Sequence, residues 1–218
     1  MSKLYQSLIC FAFWRDFYIV AREERQMWQA SEITKETRWS PFQVRAGKSE
    51  AIRGLTALDG VADRLRLVCF AELQARDAFR YGAARFAETA PKAWIEDWLR
   101  FAAVEERHAQ MLLDRMAELG VEHGAKAVSD KLTALCEAAP DALTFLFLLS
   151  SAEERGMEAG SILGKQMQSV DPVSAAVFAQ IAEEEVEHVA MAKAALKDHE
   201  EEALRVRARA VNAVVDPR

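Results

Sequence analysis

Proline and glycine are scarce in this chain of 218 residues, with 5 and 9 copies. So few chain-breakers exclude the many tight turns of an all-β sandwich and leave long helices as the natural building block. Cysteine is rarer still: Cys10, Cys69 and Cys136 stand far apart, with no Cys-x-x-Cys pair among them. That spacing excludes a disulfide scaffold, a zinc ribbon and a rubredoxin-type iron site, and makes a reducing cytoplasm the expected setting. No apolar run is long enough to cross a bilayer. Residues 8–14 are closed off by Arg15 and Asp16 without a signal-peptide cleavage pattern, and read as core or interface. Positive charge is not in excess either: the net charge is -6 and the pI about 5.4, so no surface for coating nucleic acid is expected.

What the chain does have is helical periodicity from about residue 58 onward. Val61, Leu65, Val68, Glu72, Ala75 and Phe79 recur at helical spacing over residues 58–88. Thr89 and Pro91 separate that helix from a second, over residues 91–119, which stops at Gly120. Asp141 caps a third, to about residue 169. Asp171 and Pro172 open a fourth, which continues to about residue 201 or beyond. The connections between the first and second helices and between the third and fourth are short, so each pair is an antiparallel hairpin. A long crossover over residues 120–140, carrying a short helix after Ser129, joins the hairpins. The fold class is therefore all-α, a four-helix bundle of ferritin-like connectivity with one long crossover between helices two and three. Residues 1–57 form an N-terminal extension packing on the bundle of residues 58–218. Within it, a helix is expected near residues 5–28 and an irregular, polar wrap over residues 31–49.

Histidine occurs only 4 times, and two copies sit in a repeated Glu-x-x-His: Glu105-Glu106-Arg107-His108 and Glu185-Val186-Glu187-His188. On a helix, residues three apart share a face, so a carboxylate and an imidazole reach one cation. Both pairs project from apolar stripes, the first with Trp98, Phe101 and Leu112, the second with Phe178, Ile181 and Ala192. Each remaining helix offers one inward acid. Glu72 lies between Val68 and Ala75. Glu153 follows Leu146 and Leu149 and precedes Met157, whereas Glu154 aligns with Ser150, Ser151 and Glu158 on a polar face. Thirty-three residues separate Glu72 from Glu105 and 32 separate Glu153 from Glu185, which sets all four acids at one level of two hairpins. Four buried carboxylates without counter-charge cost several kcal/mol apiece and would have to protonate or move to water. Two divalent cations would neutralise them.

The order Glu, Glu-x-x-His, Glu, Glu-x-x-His over about residues 58–200 resembles the ferritin-like di-iron carboxylate superfamily. The segments Ala71-Glu72-Leu73-Gln74-Ala75, Glu105-Glu106-Arg107-His108-Ala109, Glu153-Glu154-Arg155-Gly156 and Glu184-Glu185-Val186-Glu187-His188 are most similar to an uncharacterised ferritin-like domain family. More distantly they are similar to a tRNA-modifying di-iron hydroxylase. The resemblance implies Glu72, Glu105, His108, Glu153, Glu185 and His188 as metal ligands, with Glu105 and Glu185 bridging both metals as the catalytic carboxylates. It implies two iron ions as cofactor, with manganese or a mixed pair accepted by the same donors. Glu106 stands where bacterioferritins carry a haem-ligating Met, and Tyr81 lies on the far face of its helix from Glu72, unlike a radical tyrosine beside the metals.

The resulting expectation is a cytoplasmic, non-haem di-iron oxidase or oxygenase. It would activate dioxygen between two centres roughly 3.5–4 Å apart to hydroxylate, desaturate or cleave a small organic substrate. The alternatives are a ferroxidase or peroxide-handling protein without organic substrate, and a helical interaction module with a purely structural site. Expected partners are dioxygen, the small substrate and an external electron donor. A homodimer is compatible with this reading, and neither nucleic acid nor membrane is expected. Gly156, Gly160 and Gly164 on the third helix fit either close helix packing or a cleared cavity. His123, His199 and the basic run at residues 205–209 read as solvated, and Trp94 and Trp98 as core.

Overall fold

The computed structural model describes residues 38–216. The expected helix near residues 5–28, the apolar run at 8–14 and residues 31–37 of the expected wrap lie outside that range. Four long helices dominate: α1 (Leu58–Arg85), α2 (Lys92–Glu118), α4 (Ala142–Gln166) and α5 (Pro172–Leu196). The crossover from α2 to α4 carries a 3-10 turn (His123–Ala125), the strand β2 (Val128–Ser129) and the short helix α3 (Lys131–Glu137). A final helix, α6 (Glu201–Val215), follows α5. The closest helix pairings are α1 with α2 and α4 with α5, so the all-α bundle of two hairpins and one crossover is what the chain builds.

The ends of these helices follow from local chemistry. Gly120 adopts φ +63, and the Gly120 and Val121 amides donate to the Ala117 and Met116 carbonyls, closing α2 in a Schellman motif that favours glycine. Asp141 accepts from the Thr144 amide at 2.8 Å and Asp171 from the Ser174 amide at 3.2 Å, capping α4 and α5. Arg115 grips Asp171 with one guanidinium nitrogen at 2.8 and 2.9 Å, tying the end of α2 to the start of α5. Near the start of α1, the buried Asp63 carboxylate accepts from Arg53, Arg66 and Lys126. One acid thereby pins the preceding segment, α1 and the crossover together.

Three boundaries differ from the sequence expectation. Helix α1 stops at Arg85 rather than residue 88, because the buried Phe86 turns in against Phe145 and its carbonyl accepts from Thr89 and Ala90. Helix α4 stops at Gln166, where the fully buried Met167 takes the Val170 and Asp171 amides on its carbonyl. The fourth long helix does not run on past residue 201. It ends at Leu196, the exposed stretch 197–200 turns, and α6 folds back so that Leu204 and Val211 are buried. The basic run 205–209 therefore lies within α6, where Arg205, Arg207 and Arg209 pair with Glu201, Asp141 and Glu202.

A two-stranded parallel pairing was not expected: β1 (Val44–Arg45) matches Val44 to Val128 and Arg45 to Ser129 of β2. With it, Trp39 and Phe42 are buried against Phe70, at ring separations of 5.3 and 5.4 Å. His123, expected to be solvated, is half-buried with its ring at right angles to Phe42, 5.2 Å away. Among the described residues, no helix is long and apolar enough to cross a membrane.

Candidate metal centre

Two hydrophobic clusters divide the bundle. One is built around Phe79, Trp98, Phe101, Phe145 and Leu149, the other around Val61, Leu65, Phe70, Leu112, Met116 and Phe178. Fully burying each of these large side chains is worth roughly 1.5–3 kcal/mol, so both clusters hold the helices in fixed register. On every long helix the expected site residue falls between the two clusters. Glu72 lies between Phe70 and Phe79, Glu105 and His108 between Phe101 and Leu112, Glu153 after Leu149, and Glu185 and His188 between Ile181 and Ala192. The apolar stacks thus clamp a polar layer from above and below. All six side chains are buried, Glu72 being the most exposed at 8%.

The six residues form two overlapping groups: Glu72, Glu105, His108 and Glu185, and Glu105, Glu153, Glu185 and His188. Within each group one donor atom per residue lies within 4.8 Å of all the others. Both imidazoles turn Nδ1 toward the acids. His108 Nδ1 lies 3.5 Å from Glu72 Oε2, 3.6 Å from Glu105 Oε2 and 3.2 Å from Glu185 Oε1. His188 Nδ1 lies 2.9 Å from Glu105 Oε1, 3.4 Å from Glu153 Oε2 and 2.9 Å from Glu185 Oε2. Glu105 and Glu185 therefore each give one oxygen to either imidazole, while Glu72 and Glu153 each belong to one group alone. Donors bound at right angles about 2.1 Å from a common cation stand about 3.0 Å apart, and the imidazole-to-carboxylate separations of 2.9–3.6 Å are at or somewhat above that spacing.

Hydrogen-bond geometry tests the fit to a cation. Both oxygens of Glu105, both of Glu185 and Nδ1 of His108 are buried with no aligned hydrogen-bond partner, despite their close approach. A buried carboxylate left without partners is expensive, and lone pairs converging on one another's neighbourhood are satisfied by a positive ion. The oxygen and imidazole donor set suits iron or manganese.

Protonation in the metal-free cluster divides the acids into two kinds. Burial and the charge on Glu105 raise Glu72 well above the ordinary carboxylate range; burial and the charges on Glu185 and Glu105 do the same for Glu153. For Glu105 and Glu185 burial also acts upward, but contact with His108 and His188 outweighs it and both are held low. Burial opposes charge on the two imidazoles, yet their contacts with Glu105, Glu185 and the terminal acids raise both to about 12. The directions are opposed: the terminal acids and the imidazoles are pushed toward their protonated forms, and Glu105 and Glu185 toward the carboxylate. From the sequence, four inward carboxylates without counter-charge are expected. The imidazoles beside Glu105 and Glu185 are pushed toward the charged form and so act against that repulsion.

Glu184 belongs to the site and was not singled out from the sequence. Its Oε2 lies 2.9 Å from His108 Nε2, the nitrogen turned away from the cluster. Arg107 pairs with the same oxygen, and Gln180 donates to Oε1 at 3.1 Å. Burial pushes Glu184 up, but these three partners prevail and hold it at about 2. The signal was present: Glu184 stands three residues after the buried Ile181 and four before His188, on the flank of the inward stripe. Glu154, by contrast, pairs with Lys193 at 2.8 Å on the outer face. The Tyr81 hydroxyl donates to the Glu137 carbonyl at the crossover, and His199 is exposed. Trp98 is fully buried with Trp94 packed on it, as the sequence implied. Gly160 and Gly164 serve close packing: a Cβ on either would stand 3.1–3.2 Å from α5 atoms.

The helical hairpins, the crossover and the paired clusters together define a ferritin-like bundle with two candidate His/Glu metal-binding groups of the di-iron carboxylate kind. The chain belongs to the family described as a protein of unknown function (DUF455), whose model matches residues 10–208. No curated protein and no solved structure matches it.

Proposed function

We propose that this chain is a non-haem di-iron oxidoreductase that activates dioxygen, with Glu72, Glu105, His108, Glu153, Glu185 and His188 as ligands. The observation that carries the reading is the split of Glu105 and Glu185, each turning one oxygen to His108 and the other to His188. When bound, a pair of iron ions supplies multi-electron reduction of dioxygen. Glu105 and Glu185 would be shared by the two metal positions, and Glu72 and Glu153 would each serve one. In the metal-free cluster the terminal acids favour the protonated form, and each would give up that proton on binding a metal. Phe101, 4.0 Å from the His188 ring, and Phe79, 5.8 Å away, keep water from that side of the layer. An external electron donor completes the cycle, and a small organic molecule is the substrate.

The depth of the layer favours a second reading, ferroxidase or peroxide chemistry without organic substrate. Glu105 and His108 are 0% exposed, and a diatomic molecule or peroxide reaches such a layer with far less helix movement than an organic substrate. Adding labelled dioxygen to iron-loaded protein, with and without a panel of small molecules, tests both. Oxygen uptake that is lost in Glu105→Ala supports the metal-centre chemistry. Label appearing in an organic product selects the oxygenase; uptake by ferrous-loaded protein that yields only ferric iron and labelled peroxide or water selects the ferroxidase. No uptake by iron-loaded wild-type protein would contradict both.

A further inference from the structure

The two imidazoles are not equivalent. His108 is held from behind: its Nε2 meets Glu184 at 2.9 Å, and Arg107 and Gln180 fix that carboxylate in place. His188 has no such acid among the described residues. Its ring is packed against Phe101 and Phe79, and its Nδ1 faces Glu153, Glu105 and Glu185. A carboxylate accepting from the far nitrogen of a ligating imidazole fixes its tautomer with the lone pair on the near nitrogen and raises its basicity. Apolar rings around the other imidazole do neither.

We infer that Glu184 is a positioning residue that makes the Glu72–His108 half of the cluster the tighter metal position, filled before the Glu153–His188 half. This rests on the metal reading above. Because Glu105 and Glu185 serve both halves, they cannot distinguish them; the difference lies behind the imidazoles. Glu184 also faces α2 from α5, so it couples occupancy of that half to contact between the two hairpins. Arg107 and His108, adjacent on α2, grip the same oxygen and leave Glu184 one orientation.

Anaerobic titration of the full chain with cobalt(II), followed by absorption and calorimetry, reads the two positions separately. Wild-type protein should bind in two steps. Glu184→Ala should weaken the tighter step by roughly 10–100-fold and leave the other unchanged. Glu184→Gln, whose amide oxygen still accepts from the ring but carries no charge, should recover part of that loss. A substitution that merely loosened the helices would not be rescued in this way. Assignment comes from the single-histidine variants. In His188→Ala, adding Glu184→Ala should weaken the remaining step; in His108→Ala it should change nothing. Equal weakening of both steps, no weakening of either, or weakening confined to the His108→Ala background would overturn the inference while leaving the metal centre standing. Failure of wild-type protein to take up cobalt would instead bring down the metal reading and this inference with it.

Discussion

Glu153 and Glu154 are neighbours in sequence and opposites in environment, and the rotation of 100° between successive helical residues is the whole cause. Glu153 is 7% exposed, with its Oε2 3.4 Å from His188 Nδ1, whereas Glu154 pairs with Lys193 on the outer face. Glu153→Ala should therefore lose metal from the His188 side of the cluster. Glu154→Ala should keep both metals and change stability by less than about 1 kcal/mol, as exposed ion pairs do. Metal content and thermal melts of the two variants check this, and the opposite pattern would mean that α4 presents another face. The inward acids were legible because each interrupts an apolar stripe. Glu184 was less so, since its contact to His108 depends on how α2 and α5 approach, and a stripe flank does not state which helix it will meet.

Helix α4 shows how one spacing serves two environments. Gly160 and Gly164 meet α5 so closely that an added Cβ would lie 3.1 Å from the Ala182 Cβ and 3.2 Å from the Ala175 carbonyl oxygen. At Gly156 nothing stands within 4 Å. Gly160→Val should accordingly force α4 and α5 apart and cost about 1–3 kcal/mol. Gly156→Ala should stabilise by about 0.5–1 kcal/mol through helix propensity alone. Chemical denaturation of both variants measures the contrast. The long helices and their hairpins could be read from periodicity and a few capping residues, because those signals act within one turn. Other features needed distant partners. The turn before α6 has no glycine or proline to mark it, and forms because Leu204 and Val211 gain burial by folding back. Val44 pairs with Val128 across the crossover, a contact that no local pattern in either segment announces.

For the molecule as a whole, metal and protons compete for one layer. In the metal-free fold His108 and His188 are raised from 6.5 to about 12, so they stabilise fully below about pH 6.5 and lose that contribution as pH rises toward 12. Glu72 and Glu153, raised from 4.5, act with the same sign from about pH 4.5 upward. Glu105 and Glu185 are lowered, so their contribution is present above 4.5 and is lost only as pH falls through their folded values. Metal-free protein should thus weaken as pH rises from about 6.5, whereas metal-loaded protein holds no protons on these groups. Metal should raise the melting temperature more at about pH 7.5 than at about pH 5. Loading should also release protons from both imidazoles and both terminal acids, up to four per metal pair, as buffer-dependent calorimetry would count.

Six side chains between two apolar stacks should act as one two-metal centre. The most direct test is the number of metal ions bound per chain after saturation and removal of loose metal, in wild-type protein and in the His108→Ala/His188→Ala double variant. The wild-type chain should hold two ions, and a double variant that remains folded should lose both at the same free metal concentration. Two ions retained by that variant, or none held by the wild-type chain, would contradict this assignment.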